Sequence, residues 1–303
     1  MATNDLYALV RETVTALAAH YDPAMRQVRD AAGMEPQDNG TILFLAYADP
    51  RPTTSARLLQ VMPYGDVEGI EARLEGAVAR GFVERTPDQA YQLTDKGRQV
   101  FRRALEAAWA RMAALEPIER DDLLRMADLL RRVVEASLAA PAPADKPNLA
   151  FSRSLDPGED APIVARLDQY LSDLIFFRDD AHPAAWRRYT VSGPTWEVFT
   201  LLWAGEPGTL DELTEGMRGR AHAPNLIPDS LQDLVARGWV ARSNGVYAVT
   251  EAGRQLRQAA EDETDCLFYA PWACLSDDET DELRELLVRL RDGARSGSTG
   301  GGG

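Results

Sequence analysis

Leu6, Val10, Val14, Leu17 and Tyr21 recur at steps of three and four. That spacing is the apolar stripe of an amphipathic helix, and the chain reads helical through most of its first 33 residues. TILFLAYA from Thr41 predicts a short apolar helix and TTSARLLQVM from Thr53 another. DVEGIEARLEGAVARG from Asp66 predicts a third, which stops at Gly81 because glycine takes the left-handed cap without steric cost. FVER and AYQL predict two short strands about the turn TPDQ. From Thr94 a long helix, TDKGRQVFRRALEAAWARMAAL, runs to a break at Pro117, and IERDDLLRMADLLRRVVEAS makes one more.

The same order then returns. A helix from Ile163 aligns Leu167, Leu171 and Leu174. TWEVFTLLWA, TLDELTEGM and PDSLQDLVARG follow as helices, WVAR and VYAV as strands, and TEAGRQLRQAAEDETDCLFYA as a long helix. The last helix opens at SDDE, where Ser276 caps and Glu279 reaches back, ahead of Leu283, Leu286, Leu287 and Leu290. The letters repeat as well as the pattern. VARGFVER from Val78 is answered 157 positions later by VARGWVAR from Val235, and YQLTDKGRQ from Tyr91 by YAVTEAGRQ from Tyr247 at an offset of 156. Two blocks matching at a nearly fixed offset are what an internal duplication leaves. The expected organisation is two copies of six helices and two strands, 1–139 and 161–295. A Pro- and Gly-rich linker, 140–160, joins them, and a flexible tail, 296–303, follows.

Composition fits this and narrows the chemistry. A length of 303 residues suits two domains with their own cores, and 45% hydrophobic residues is ordinary for a globular protein. No run approaches the roughly 18–20 apolar residues that cross a bilayer. The opening MATNDLYALVRE is amphipathic and acidic early, unlike a signal peptide, so a cytoplasmic protein is expected, without membrane contact. Cys266 and Cys274 lack the spaced array of a disulfide scaffold or a zinc site and read as reduced, separate thiols; no metal or cofactor is expected.

An enzyme is not expected either. His20, His182 and His222 are far apart, and Ser55 and Ser230 have no elbow glycines around them. The acid pairs Asp121–Asp122 and Asp277–Asp278 sit at helix starts, where they complement the helix dipole. No phosphate loop or dinucleotide glycine pattern occurs.

Helix, helix, helix, a two-stranded wing, then a long helix opened by an LT-x-x-GR phrase is a winged helix-turn-helix. With the flanking helices and a final LSDDETDELRELLVRL, the chain resembles the MarR family of bacterial transcription regulators, in two passes of roughly 1–139 and 160–293. The most specific pieces are VARGFVER with YQLTDKGR and LVARGWV with YAVTEAGR. The resemblance implies a mainly α fold of two tandem winged helix-turn-helix units with flanking pairing helices. These would form an intramolecular pseudo-dimer that supplies the two-fold arrangement of DNA half-sites. It further implies a ligand-responsive transcriptional regulator, in which a small apolar or aromatic effector alters the spacing of the two recognition helices.

Candidate contacts to double-stranded DNA follow. Arg51, Thr53, Thr54, Arg57 and Tyr64 lie around the front of the first helix-turn-helix, where hydroxyls and arginines suit phosphate; a plain helix cap at Thr53 or Thr54 is the structural alternative. Arg73 and Arg80 belong to the first recognition helix and Arg237 to the second. Arg85 and Arg242 sit at the wing bases, and Arg218, Arg220, His222 and Asn225 precede the second recognition helix. Against DNA stand the net charge of −15 and the acids of the recognition helices: Asp66, Glu68, Glu71 and Glu75 in the first, Asp229 and Asp233 in the second. Residues 1–150 hold 18 basic and 22 acidic side chains, residues 151–303 hold 15 and 26, so the repulsion concentrates in the second copy.

For an effector the family's cleft has aromatic material in Phe176, Phe177, Trp186, Tyr189, Trp203 and Trp272. Trp196, Phe199 and Trp203 at steps of three and four equally describe one buried face. The alternative reading is a degenerate winged-helix protein that binds a small aromatic molecule, or a protein partner at its acidic winged units, without reading DNA.

Overall fold

The computed structural model describes residues 4–205, 208–217 and 225–298. The protein is mainly helical with few, short strands. The first run of elements is α1 (Asn4–Ala31), α2 (Pro36–Ala48), α3 (Ser55–Leu58), α4 (Val67–Ala79), the hairpin β1 (Val83–Arg85) and β2 (Tyr91–Leu93), α5 (Asp95–Met112) and α6 (Arg120–Ala139). After α7 (Pro147–Arg153) comes a parallel series: α8 (Ile163–Trp186), α9 (Gly193–Trp203), α10 (Leu210–Gly216), α11 (Leu226–Ala236), β3 (Val240–Ser243), β4 (Val246–Val249), α12 (Glu251–Tyr269) and α13 (Asp277–Ser298). Short 3-10 turns, Arg187–Tyr189 and Ala270–Cys274, follow α8 and α12.

The boundaries have local causes. α4 ends at Gly81 (φ +77°) and α11 at Gly238 (φ +72°). Each turn closes with the same pair of backbone bonds: Gly81 N to Val78 O and Phe82 N to Ala77 O in the first, Gly238 N to Val235 O and Trp239 N to Leu234 O in the second. Asn244 and Gly245, both at positive φ, make the two-residue turn that joins β3 to β4. At α13, Glu279 accepts from Ser276 N (3.0 Å) while Ser276 Oγ accepts from Glu279 N (3.2 Å).

The helix expected from Thr53 is a single turn, Ser55–Leu58. Its first residue is drawn away, because Thr53 and Tyr91 exchange both backbone bonds (2.9 and 2.7 Å) and Thr53 extends the hairpin as a third strand position. Within the Pro- and Gly-rich stretch expected as a linker, Pro147 opens α7, which buries Leu149 and Phe151.

Two compact units divide the chain, and each draws on both runs of elements. The first holds residues through Glu35, Asp95–Ala181 and from Asp265 onward. In it α1 packs on α5 and α13, and α6 on α13, around a core that includes Leu6, Leu17, Leu130, Leu171, Leu287 and Leu290, all fully buried. The second holds Pro36–Thr94 and His182–Thr264. There α2 packs on α4 and β2, and α9 on α11. Ile42, Leu74 and Phe82 are buried in its first segment; Trp196, Phe199, Leu231 and Leu234 form a cluster in its second. Among the described residues no helix is long and apolar enough to cross a membrane.

Candidate nucleic-acid interface

The two fronts expected of the helix-turn-helix repeats, ahead of α3 and of α10, are built alike and charged differently. Behind α3, Thr53 is buried and bonded to Tyr91; behind α10, the carbonyl of Gly208 accepts from Tyr247 N at 2.7 Å. The next residue caps the helix in both cases, Thr54 Oγ1 taking the N–H of Arg57 and Thr209 Oγ1 that of Glu212, each at 3.3 Å. Arg57 and Glu212 therefore hold the same third position of equivalent helices. Arg57 and Arg51 are exposed, and neither meets a carboxylate among the described residues. Glu212 is exposed too, but its Oε2 accepts from Thr209 Oγ1 (2.6 Å) and Thr209 N (3.1 Å). Those bonds hold its carboxyl below the usual range, so it stays ionised at neutral pH.

α4 and α11, the helices expected to read DNA, use their arginines internally. Asp38 is 1% exposed, and Arg80 at the end of α4 donates to it from Nε (2.8 Å) and through a second, shorter contact from Nη2. Arg85 pairs with Glu75 of α4 and donates to Gln89 (2.6 Å) and to the Tyr91 hydroxyl (2.8 Å). Tyr91 itself donates to Glu75 (2.7 Å), and these two partners, Tyr91 first, lower the Glu75 pKa. Glu71 accepts from Ser55 at 2.8 Å. Arg237 pairs with Asp233 one turn back (2.9 Å), reaches the carbonyls of Tyr189 and Thr190, and lies over the Trp239 ring. Arg242 is exposed over Tyr247, 5.4 Å from the ring centre, with no carboxylate partner among the described residues. Arg73 is half-buried on α4, and Asn225 sits exposed at the start of α11 without a side-chain capping bond. Arg218, Arg220 and His222 lie outside the described residues.

The expected DNA set thus separates into tied side chains, Arg80, Arg85 and Arg237, and outward ones, Arg51, Arg57 and Arg242. Spacing four in sequence betrays the Asp233–Arg237 pair. Asp38 gives no such signal, being 42 positions from Arg80.

The aromatic set is mostly core. Trp196, fully buried, stacks on Trp186 (5.5 Å) and Tyr189 (5.9 Å) and meets Phe199 edge-on. Arg257, 3% exposed, lies between the Trp196 and Trp203 rings and pairs with Glu261. Phe177 and Trp272 both pack on Phe268 in the first unit, and Phe176 is met edge-on by Phe151 of α7. Tyr64 leans on Trp186 (6.1 Å), and a Cβ at Gly193 would fall 1.6 Å from the carbonyl oxygen of Pro63. Only glycine permits that approach of the α3–α4 turn to α9. The indole N–H groups of Trp186 and Trp272 are buried without an acceptor among the described residues. None of the six aromatics lines the cavity of about 480 Å³ in the first unit, whose walls include Met112, Leu115, Ile118, Leu123 and Ile163. Among the described residues no group of His, Cys, Asp and Glu is placed to hold a metal ion.

Comparison with curated proteins returns no match. A profile of a helix-turn-helix family matches residues 76–299, from inside α4 to the end of α13. That is most of the chain, and the protein belongs to this helix-turn-helix family.

Proposed function

We propose that the protein is a DNA-binding transcriptional regulator carrying two MarR-like winged helix-turn-helix copies on one chain. The family membership supports the DNA-binding part. The matched pair of fronts, each a capped helix bonded to a hairpin tyrosine, supports the duplication. Of the candidate arginines, Arg51, Arg57 and Arg242 are exposed and have no carboxylate partner among the described residues, and phosphate contact falls to them. A small aromatic effector belongs to the same reading and would be held at the seam of Tyr64, Trp186 and Tyr189. The buried Trp186 N–H is there a donor in want of an acceptor. No enzymatic activity is part of it: His20 bonds the Ala294 carbonyl (2.7 Å), and His182 is held between Trp196 and Thr264.

A second reading has its own observation. Glu68, Glu71 and Glu75 are all exposed on α4, and Arg85 is paired with Glu75. Such a surface suits a protein partner at the winged units. Selection from random duplex DNA at low salt separates the two. Enrichment of a motif by the native chain, lost with Arg51→Ala and Arg57→Ala, supports the regulator. No enrichment at low ionic strength, where phosphate attraction is strongest, leaves the protein-binding reading.

A further inference from the structure

The two fronts differ at three equivalent positions. Where the first has Ser55, buried and bonded to Glu71, the second has Leu210, 36% exposed. Where the first has half-buried Ala90, the second has Val246, 46% exposed. Arg57 is replaced by Glu212.

The second set lies together. Thr209 bridges Val246, Leu210 follows Thr209, and Thr209 holds the Glu212 carboxylate. Strand alternation puts Val246 on the face of β4 opposite Tyr247, so the Arg242 that covers Tyr247 does not answer Glu212. Asp211 is exposed beside it. The carboxylates repel phosphate, and with apolar side chains facing water beside them they match a chain segment carrying both cations and an apolar anchor.

We propose that the front of the second helix-turn-helix, Leu210 and Val246 flanked by Asp211 and Glu212, is a docking surface for a basic polypeptide segment with a large apolar side chain. This goes beyond both readings above: it assigns only the front of the second run of elements and leaves the first free to meet DNA, so DNA selection and the following test fail independently.

The probe is a library of random peptides displayed on phage, selected on the full chain. Enriched peptides are then measured by fluorescence anisotropy against the native chain, Leu210→Ser with Val246→Ser, and Asp211→Asn with Glu212→Gln. Glutamine keeps the cap on Thr209, and all four sites face solvent, so the variants should melt with the native chain. The expected peptides combine Lys or Arg with Leu, Ile or Phe. Their affinity should fall about tenfold on loss of the apolar pair, and the amide pair should flatten the salt dependence. Peptides without a shared basic and apolar character, or peptides that bind the serine variant as well as the native chain, would overturn the proposal. So would an empty peptide selection in which the serine variant loses duplex DNA, which assigns the patch to nucleic acid.

Discussion

Asp168 of α8 sits beside Tyr21 of α1, whose hydroxyl donates to both carboxylate oxygens at 3.2 and 3.3 Å. Burial raises the Asp168 pKa to about 7, the Tyr21 bond opposes that, and the nearby Asp22 adds to it. The folded pKa lies above the unfolded one. Stability from this group is therefore fully present below the unfolded value of 3.8 and is lost as pH rises through about 7. Asp168→Asn should melt with the native protein near pH 4 and be more stable at pH 8, by on the order of 1 kcal/mol. Thermal unfolding at both pH values checks this; equal stability at pH 8 would mean that the carboxyl is solvated. Sequence spacing could not announce Asp168, since Tyr21 is 147 positions away. Arg80 shows the same limit. Its place at the end of a recognition helix suggested DNA, and only the fold shows the buried Asp38 that holds it. What sequence did carry at this scale is local: the positive-φ glycines 81 and 238, and the reciprocal bonds of Ser276 and Glu279.

Elements were legible where their periodicity and their caps agreed. α4 and α11 end at the glycines expected of them, and β4 covers the expected VYAV. α3 is shorter than its sequence predicts because the competition is not local: a hairpin residue, Tyr91, takes the backbone of Thr53. α7 lies in a stretch whose composition predicts a linker, although Pro147 stands at its first position, because nothing nearby caps it. Its cap comes from α8. Asp180 accepts from the N–H of Asn148 (2.9 Å) and of Leu149 (2.8 Å) and from the Asn148 side chain (3.0 Å). At the other end Asp173 accepts from Ser152 (2.6 Å) and Arg153 (2.9 Å). Asp180→Ala removes the first set and strands two helix-terminal donors, at a cost of about 2 kcal/mol. The expected result is a lower urea midpoint together with fast hydrogen exchange at Asn148 and Leu149. Exchange that stays slow there would show that Leu149 and Phe151 seat the helix without the aspartate.

At the scale of the whole chain, the letters predict a duplication but not that the two halves share a core, because an apolar stripe names a face and no partner. The first unit mixes them: Leu6, Leu17 and Leu130 from the first copy share a cluster with Leu171, Leu287 and Leu290 from the second. Charges join the same helices, with Arg125 of α6 donating to Glu282 of α13 (2.7 Å) and Arg132 pairing with Glu279, which is held at about 2. A copy expressed alone would turn this leucine cluster toward water, and an apolar surface of that kind drives association or aggregation. Residues 1–140 and 141–303 made separately, a division that keeps α7 whole, should therefore sediment as dimers or aggregates, while co-expressed they should recover one complex of the size of the intact chain. A single copy that stays monomeric and melts cooperatively would show that each can close its own core, leaving the leucines at α1, α6, α8 and α13 as an optional interface rather than the centre of the fold.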